Sequence, residues 1–408
     1  MKAVMISEGI YHIGANIQNG DLFEGLWPIP DGVSLNSYLV QGEKTALIDL
    51  MRDWNDAPLT LEKELHRLNV EFDAIDYLIL NHMEPDHTGW MNGFLERNPG
   101  CQIILTKRAE PILKEFFGVT ENVRVVKTGD TLDLGKGKEL LFVEAPNVHW
   151  PETMVTYEKS SRVLFSCDAF GSYGCLDDAV FDDQIDDEKH AFYEKETLRY
   201  YANIVASFSS FVIKAIDSMK DLEIDVIAPS HGLIWRENPG AIIDRYRKYA
   251  AYAQGPAEPE ITVIWGSMYG NTQSILKSVI QGIRSENVPV HVHQVPNEDP
   301  SYALASAWKS TGIVCGMPTY EYKMFPPMAY VLDLFERKHV FHKKVFRFGS
   351  FGWSGGAQKE FDTRTEKLKW DFMAPVEWQG RASEEIHELA RQRGRELARE
   401  VKKLCGGE

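Results

Sequence analysis

The segment NHMEPDHTG (81–89) places four residues with metal-binding chemistry, His82, Glu84, Asp86 and His87, within six positions. Three more of the same chemistry, His149, Asp168 and His231, follow after gaps of 62, 19 and 63 residues. A chain that uses all seven must fold so that four distant segments end at one place. Four imidazoles and three carboxylates are enough to hold two metal ions, and a carboxylate-rich N/O set suits iron or manganese better than an all-imidazole zinc site. A single histidine is more often structural or on the surface, by about 4 to 1. Four such residues in six positions reverse those odds, because each would otherwise need its own polar partner. Taken alone, Asp168 reads equally well as a turn or helix cap, and His231, followed by Gly232, as an ordinary loop histidine.

The seven residues fall where short β-type runs end. His82 follows DYLILN (76–81), Asp168 follows RVLFSC (162–167), His231 follows VIAPS (226–230), and His149 lies in the loop leaving ELLFVEA (139–145). Further runs are NSYLV (36–40), TALIDL (45–50) and CQIILT (101–106), with helical patterns at 61–68 and 193–214 between them. Strands mixed with helices predict an α/β domain, and loops at one sheet edge are where a rigid scaffold carries chemistry. The acidic stretch 177–188 is expected to be an exposed loop. The other eight histidines lack such company.

Composition narrows the function. The 408 residues are 44% hydrophobic and 25% charged, with a formal charge of −16, which argues against nucleic acid or an anionic membrane as the main partner. Five cysteines without a C-x-x-C pair fit a reducing compartment and no rubredoxin-type site. The N-terminus lacks an apolar signal region and no run approaches 18 apolar residues, so a cytoplasmic protein is expected.

At AAYAQGPAEPE (250–260) glycine and prolines interrupt the pattern. The expected division is a domain over 1–252, a linker over 253–260 and a second domain over 261–408. The second domain alternates strand and helix: ITVIW (261–265), VHVHQV (290–295), TGIVCG (311–316) and KVFRFGS (344–350) read as strands. Such alternation predicts a doubly wound parallel sheet with ligands at the carboxyl ends of its strands. After the first strand comes Ser267, Met268, Tyr269, Gly270, Asn271 and Thr272, a hydroxyl-rich loop leading into a helix. Backbone N–H groups and a helix N-terminus there favour a phosphate. Neither a Walker loop nor G-x-G-x-x-G is present, so a mononucleotide such as FMN is preferred over ATP or a dinucleotide. The loops holding Pro318, Thr319 and Tyr320, and Ser350, Phe351, Gly352, Trp353 and Gly355, would let backbone approach a flat ring, with Trp353 stacking on it, shielding it or packing elsewhere.

The set H-x-E-x-D-H, HWP, DAFG and SHG resembles the flavodiiron proteins, and the opening motif is one letter from the H-x-H-x-D-H of metallo-β-lactamase-fold hydrolases. The three later loops resemble those of flavodoxins. The resemblance covers nearly the whole chain. It implies an N-terminal metallo-β-lactamase-like αββα sandwich followed by a flavodoxin-like domain. It also implies a di-iron centre with His82, Glu84 and His149 on one iron, Asp86, His87 and His231 on the other, and Asp168 bridging. FMN would bind through the three loops. The family function is reduction of O2 to water, of NO to N2O, or of both. Electrons would come from a separate rubredoxin-like protein, since no paired C-x-x-C module is seen, or from F420H2. A head-to-tail homodimer is implied, with pairing into a tetramer left open. The segment WPIP (27–30) would line the gas pocket, although Trp27 suits a core position equally well.

Two other classes remain at this level. One is a zinc hydrolase of the metallo-β-lactamase fold with an accessory flavodoxin-like module. The other is an electron carrier whose first domain is structural.

Overall fold

The computed structural model describes residues 2–18, 20–177 and 179–407. The chain folds into two compact units, Met1–Tyr201 with Phe208–Arg247, and Ala202–Ser207 with Lys248–Glu408.

The first unit holds strands β1 (Val4–Ser7), β2 (Ile10–Ile17), β3 (Leu22–Phe23), β4 (Trp27–Pro28), β5 (Val33–Gln41), β6 (Thr45–Ile48), β7 (Tyr77–Ile79), β8 (Gln102–Thr106) and β9 (Val123–Val126). Five more follow: β10 (Thr131–Gly135), β11 (Lys138–Glu144), β12 (Met154–Glu158), β13 (Val163–Cys167) and β14 (Val226–Pro229). They form a seven-stranded sheet ordered β1-β2-β5-β6-β7-β8-β9 and a five-stranded sheet running from β10 to β14. The strands expected from the apolar runs are all present, shortened where the chain turns toward the metal-type residues.

The central strands are buried on both faces. Every residue of β12 and β13 is buried, as is all of β5 except Gln41. The sheets meet across Tyr38 of β5 and Phe165 of β13, whose rings lie 5.1 Å apart. The Tyr38 hydroxyl donates to the Pro229 carbonyl at the end of β14 at 2.6 Å. Helices α1 (Ala57–Arg67), α2 (Pro85–Thr88), α3 (Met91–Arg97), α4 (Ala109–Phe117), α5 (Asp187–Tyr200) and α6 (Ser209–Ser218) lie between the strands in sequence. This is the sandwich expected of the first half.

In the second unit β15 (Glu258–Trp265), β16 (Val290–Gln294) and β17 (Ser310–Gly316) are followed by a short hairpin of β18 (Thr319–Tyr320) and β19 (Lys323–Met324). Then come β20 (Lys344–Phe351) and the short β21 (Asp371–Phe372) and β22 (Val376–Gln379). Apart from the hairpin, these strands make one parallel sheet. Its order, β16-β15-β17-β20 and then β21 and β22, is 2-1-3-4-5 in the sheet's own strand count, the flavodoxin-type doubly wound arrangement. The core packs Ile261, Val263 and Val314 of the sheet with Val279 and Ile283 of one helix and Leu397 and Val401 of another. Where Leu276–Arg284 crosses Glu384–Leu404, a Cβ on Gly282 would stand 2.0 Å from the Arg391 carbonyl oxygen, so that crossing requires glycine.

Two segments differ from expectation. β15 begins at Glu258, inside the stretch expected to be a linker, because Glu258 already pairs with Ser310 before a register shift around Pro259. The acidic stretch 177–188 is only partly exposed. Val180, Phe181 and Asp182 are buried, and Asp182 Oδ1 accepts the backbone N–H groups of Arg236 and Glu237 at 2.8 and 3.1 Å. Asp178 of this stretch lies outside the described residues.

Helix α1 is tied to β2 through a buried acid. The Gly14 N–H donates to Glu64 Oε2 at 2.6 Å, while Oε1 has no hydrogen-bond partner. Burial pushes the Glu64 carboxyl up to about 7, against the pull of the Gly14 N–H and the Arg67 charge. The folded state therefore keeps a proton that the unfolded chain has already lost above its ordinary carboxyl range. The stabilisation is complete below about pH 4.5 and is lost as pH rises to about 7. Glu64→Gln should raise stability at pH 8 by on the order of 1 kcal/mol or more and flatten this dependence. Urea midpoints of the N-terminal unit between pH 4 and 8 test it. Parallel pH curves for the two proteins would contradict it.

Candidate metal centre

The strands of both sheets end at one place, and the seven residues are there. His82 lies two residues beyond Leu80, whose N–H still donates to the Ile104 carbonyl at 2.9 Å. The chain then turns at Pro85 into α2, with proline at the first helical positions, where its missing N–H costs nothing. This turn aims Asp86 and His87 differently from His82 and Glu84. It is pinned from behind, as the carbonyls of His87 and Asp86 accept the N–H groups of Leu50 and Arg52 at 3.0 Å each. Asp49 and Cys167, at the ends of β6 and β13, adopt φ near +55, a left-handed conformation that costs about 1 kcal/mol or more per residue. Beyond β14, Gly232 has φ +77, and a Cβ there would meet Ser172 Oγ at 2.0 Å. Only glycine lets the chain leave His231 on this path.

The side chains form two half-sets that share Asp168. Asp168 Oδ2 lies 3.4 Å from both His82 Nε2 and His149 Nε2. Glu84 Oε2 closes that group at 3.3 Å from His82 Nε2 and 2.9 Å from His149 Nε2. Asp168 Oδ1 lies 3.1 Å from His87 Nε2 and 3.3 Å from His231 Nε2. Asp86 completes the second group at 3.4 Å from His87 Nε2 and 3.3 Å from His231 Nε2. Two donors each about 2.1 Å from one transition-metal ion and about 90–110° apart stand roughly 3.0–3.4 Å from each other. The observed separations fit such edges.

Other observations fit metal ions as well. Five of the seven are fully buried or nearly so, with Glu84 and Asp86 only slightly exposed. Both oxygens of Asp86, Asp168 Oδ2 and His231 Nε2 lack a hydrogen bond of proper geometry despite charged neighbours. Such orphaned buried atoms need an explanation, and a cation supplies one. The imidazole tautomers are set from outside. His82 Nδ1 donates to Glu152 Oε1 at 2.8 Å and His231 Nδ1 to the Ser34 carbonyl at 2.8 Å. With a metal bound, each neutral ring would turn its Nε2 lone pair inward.

The electrostatics show how strongly the pocket calls for positive charge. Burial alone would lower all four imidazoles. Instead Glu152 and Glu84 raise His82 to about 10, Asp86 and Asp168 raise His87 to about 9, and Asp168 with Glu84 raises His149 to about 9. Asp168 and Asp86 raise His231 to about 10. Burial works to raise Glu84 and Asp168, yet the surrounding imidazoles hold both carboxyls below the usual range.

Several contributors carry no motif that the sequence reveals. Glu152, buried in the turn before β12, also accepts the Met83 N–H at 3.0 Å. The Tyr200 hydroxyl donates to Asp168 Oδ1 at 3.0 Å. Asp49, behind His87, accepts the Asn81 N–H at 2.8 Å and the Ser230 hydroxyl at 3.3 Å. An acid closing the apolar run TALIDL is a visible hint; Glu152 and Tyr200 offer none beyond residue type. Trp27 is buried and its indole donates to Glu24, while the β3–β4 hairpin brings Phe23 edge-on to His231, ring centres 5.4 Å apart.

In the second unit the three predicted loops gather at the carboxyl ends of β15, β17 and β20. Ser267 Oγ accepts the Gly270 N–H at 3.1 Å, and Gly270 has φ +91 with open space where a Cβ would stand. Thr272 is buried and shares a hydrogen bond of 2.9 Å with Ser350 Oγ, joining the first and third loops. Thr319 Oγ1 accepts the Ala357 N–H at 3.4 Å. Met268, Tyr269, Tyr320 and Trp353 are exposed, and Trp353 meets Tyr322 edge-on. Gly352 and Gly355 also have open space around them, and Pro318 and Phe351 complete the loops. Glycines with open space and exposed aromatic rings on these loops suit a flat ring on a phosphate tail.

Comparison with known proteins agrees with this geometry. Residues 33–232 match the ODP family beta lactamase and residues 263–394 match Flavodoxin. The chain is 34% identical over 404 residues, 97% of its length and 79% of the relative's, to an anaerobic nitric oxide reductase flavorubredoxin of Vibrio vulnificus. Its fold is similar to rubredoxin oxygen:oxidoreductase from the anaerobe Desulfovibrio gigas, with a TM-score of 0.93, 26% identity and full coverage of both chains. It is also similar to the flavodiiron protein from Giardia intestinalis, with a TM-score of 0.91 and 25% identity over 100% of this chain and 98% of that one. These relatives are oxidoreductases, which removes the zinc hydrolase left open by the sequence.

Glu152→Gln keeps an acceptor for His82 but removes the charge behind it. It should weaken metal retention about tenfold or more. Competition with a chelator, at a temperature where both proteins are folded, measures this. Equal retention by both proteins would contradict it.

Proposed function

The chain belongs to the flavodiiron family of oxidoreductases, which take two irons and FMN, and from that premise we propose that it reduces O2 to water, NO to N2O, or both. The observation that carries this is Asp168, whose two oxygens each face a separate half-set of imidazoles and one further carboxylate. Such an arrangement suits a pair of like ions acting on one small substrate. The balances are O2 with four electrons and four protons giving two waters, and two NO with two electrons and two protons giving N2O and one water.

When bound, the irons and the flavin supply the electrons, one or two at a time. The protein supplies position and charge. His82, Glu84 and His149 would hold one iron; Asp86, His87 and His231 would hold the other. Asp168 would couple them. Three carboxylates lower the positive charge of the centre, while Glu152 and the Ser34 carbonyl fix the orientation of two imidazoles. The aromatic rings of Phe23, Tyr173 and Tyr200 crowd the His231 side and keep water out. Ser267, Tyr269, Asn271 and Thr272 would take the FMN phosphate, with the loops around Thr319 and Trp353 flanking the ring.

The names of two relatives, a flavorubredoxin and a rubredoxin oxygen:oxidoreductase, support a rubredoxin-like donor over F420H2. A head-to-tail homodimer, in which the FMN of one protomer serves the irons of its partner, completes the proposal. Five free cysteines support a reducing, cytoplasmic setting. Among the described residues no helix is long and apolar enough to cross a membrane.

Anaerobic stopped-flow of the iron- and FMN-loaded protein, fully reduced and mixed with O2 or NO, tests the reading. Flavin reoxidation within the turnover time is expected with at least one gas. Asp86→Ala should abolish gas reduction with FMN content unchanged. Two zinc ions per chain with hydrolytic activity, or full gas reduction by Asp86→Ala, would overturn it.

A further inference from the structure

Behind the centre, in the first unit, lies a cavity of about 10 Å³ lined from β12, β13, the segments beside them, α6 and Tyr246. Space of this size holds roughly one water-sized molecule. Its walls include Ala145, Val155, Phe170, Val212, Ile216 and Met219. The polar atoms at its border are engaged elsewhere. Ser166 Oγ donates to the Ala169 carbonyl at 2.8 Å, Thr153 Oγ1 to the Trp150 carbonyl at 3.0 Å, and the Tyr246 hydroxyl to the Gly171 carbonyl at 3.2 Å. A water there would need two to four polar partners and finds none facing it, so the cavity favours an apolar guest.

Its position relates it to the metal centre in three ways. Thr153, in its wall, brings Oγ1 within 3.5 Å of His82 Nδ1. Val148 and Ala169, also in its wall, are the chain neighbours of His149 and Asp168, the two ligand residues that face each other at 3.4 Å. A small apolar molecule in this cavity is therefore separated from the centre by wall residues that adjoin His149 and Asp168 in the chain and touch His82 through Thr153.

We propose that this cavity is a docking position for the diatomic gas, O2 or NO, adjoining the di-iron centre. The proposal rests on the gas-reducing function above. Both gases are small and apolar, and both gain by leaving water for a dry apolar space. A second molecule held one layer from the irons would also suit a reaction that consumes two NO.

Crystals of the iron-loaded protein under xenon pressure, and steady-state kinetics with each gas, test it together. Xenon should occupy the cavity in the wild type and be absent from Val212→Phe and Ala145→Leu, two fillers on different elements. Each filler should raise KM for the gas about threefold or more with kcat unchanged, as expected when a binding step rather than the reacting centre is altered. Met219→Ala, which enlarges the space, should increase xenon occupancy. No xenon in the wild type, or KM unchanged in both fillers, would overturn the docking position while leaving the gas-reducing function standing. A wild-type protein that consumes neither gas would overturn that function and this inference with it.

Discussion

Everything in the first unit depends on one charge constraint: three carboxylates and four imidazoles share a nearly dry space around Asp168. Burying that many charges is tolerable only if they are balanced within the cluster. Without metal, four protonated imidazoles against three carboxylates leave a net charge of +1. With two divalent ions, four neutral imidazoles and three carboxylates, the sum is again +1. The carboxylates around them raise all four imidazoles, so metal uptake would exchange protons for cations.

That constraint explains the second layer. Asp49 and Asn81 join ends of the first sheet to Ser230 and Phe165 of the second, and the Asn81 side chain accepts from Thr156 at 2.7 Å. Glu152, Asp49 and Asn81, which help aim the site, are themselves held by further hydrogen bonds, which is how a buried polar network stays specific rather than costly. Left-handed turns at Asp49 and Cys167 and the glycine after His231 are local concessions to the same convergence.

Much of this is legible in the sequence because ligand chemistry is dense where it starts. His82, Glu84, Asp86 and His87 lie close enough in sequence to be read directly, and the apolar runs before Asp168 and His231 locate those two at strand ends. The parallel order of the second unit follows from its strand–helix alternation. Other features depend on tertiary partners and leave no pattern. Glu152 is an acid in a turn like many others until His82 stands beside it. The role of Ser34 is carried by its carbonyl, which every residue has. Asp182 belongs to an acidic run that composition assigns to solvent, yet two backbone N–H groups from the segment after β14 bury it.

On the proposed function, Asp168 stands between two ions of the same kind. Anomalous diffraction at the iron edge from crystals of the iron-loaded protein measures this most directly. Two peaks of similar height are expected, one among His82, Glu84 and His149 and one among Asp86, His87 and His231, with Asp168 reaching both. A single peak, or one that leaves Asp168 outside its reach, would contradict it.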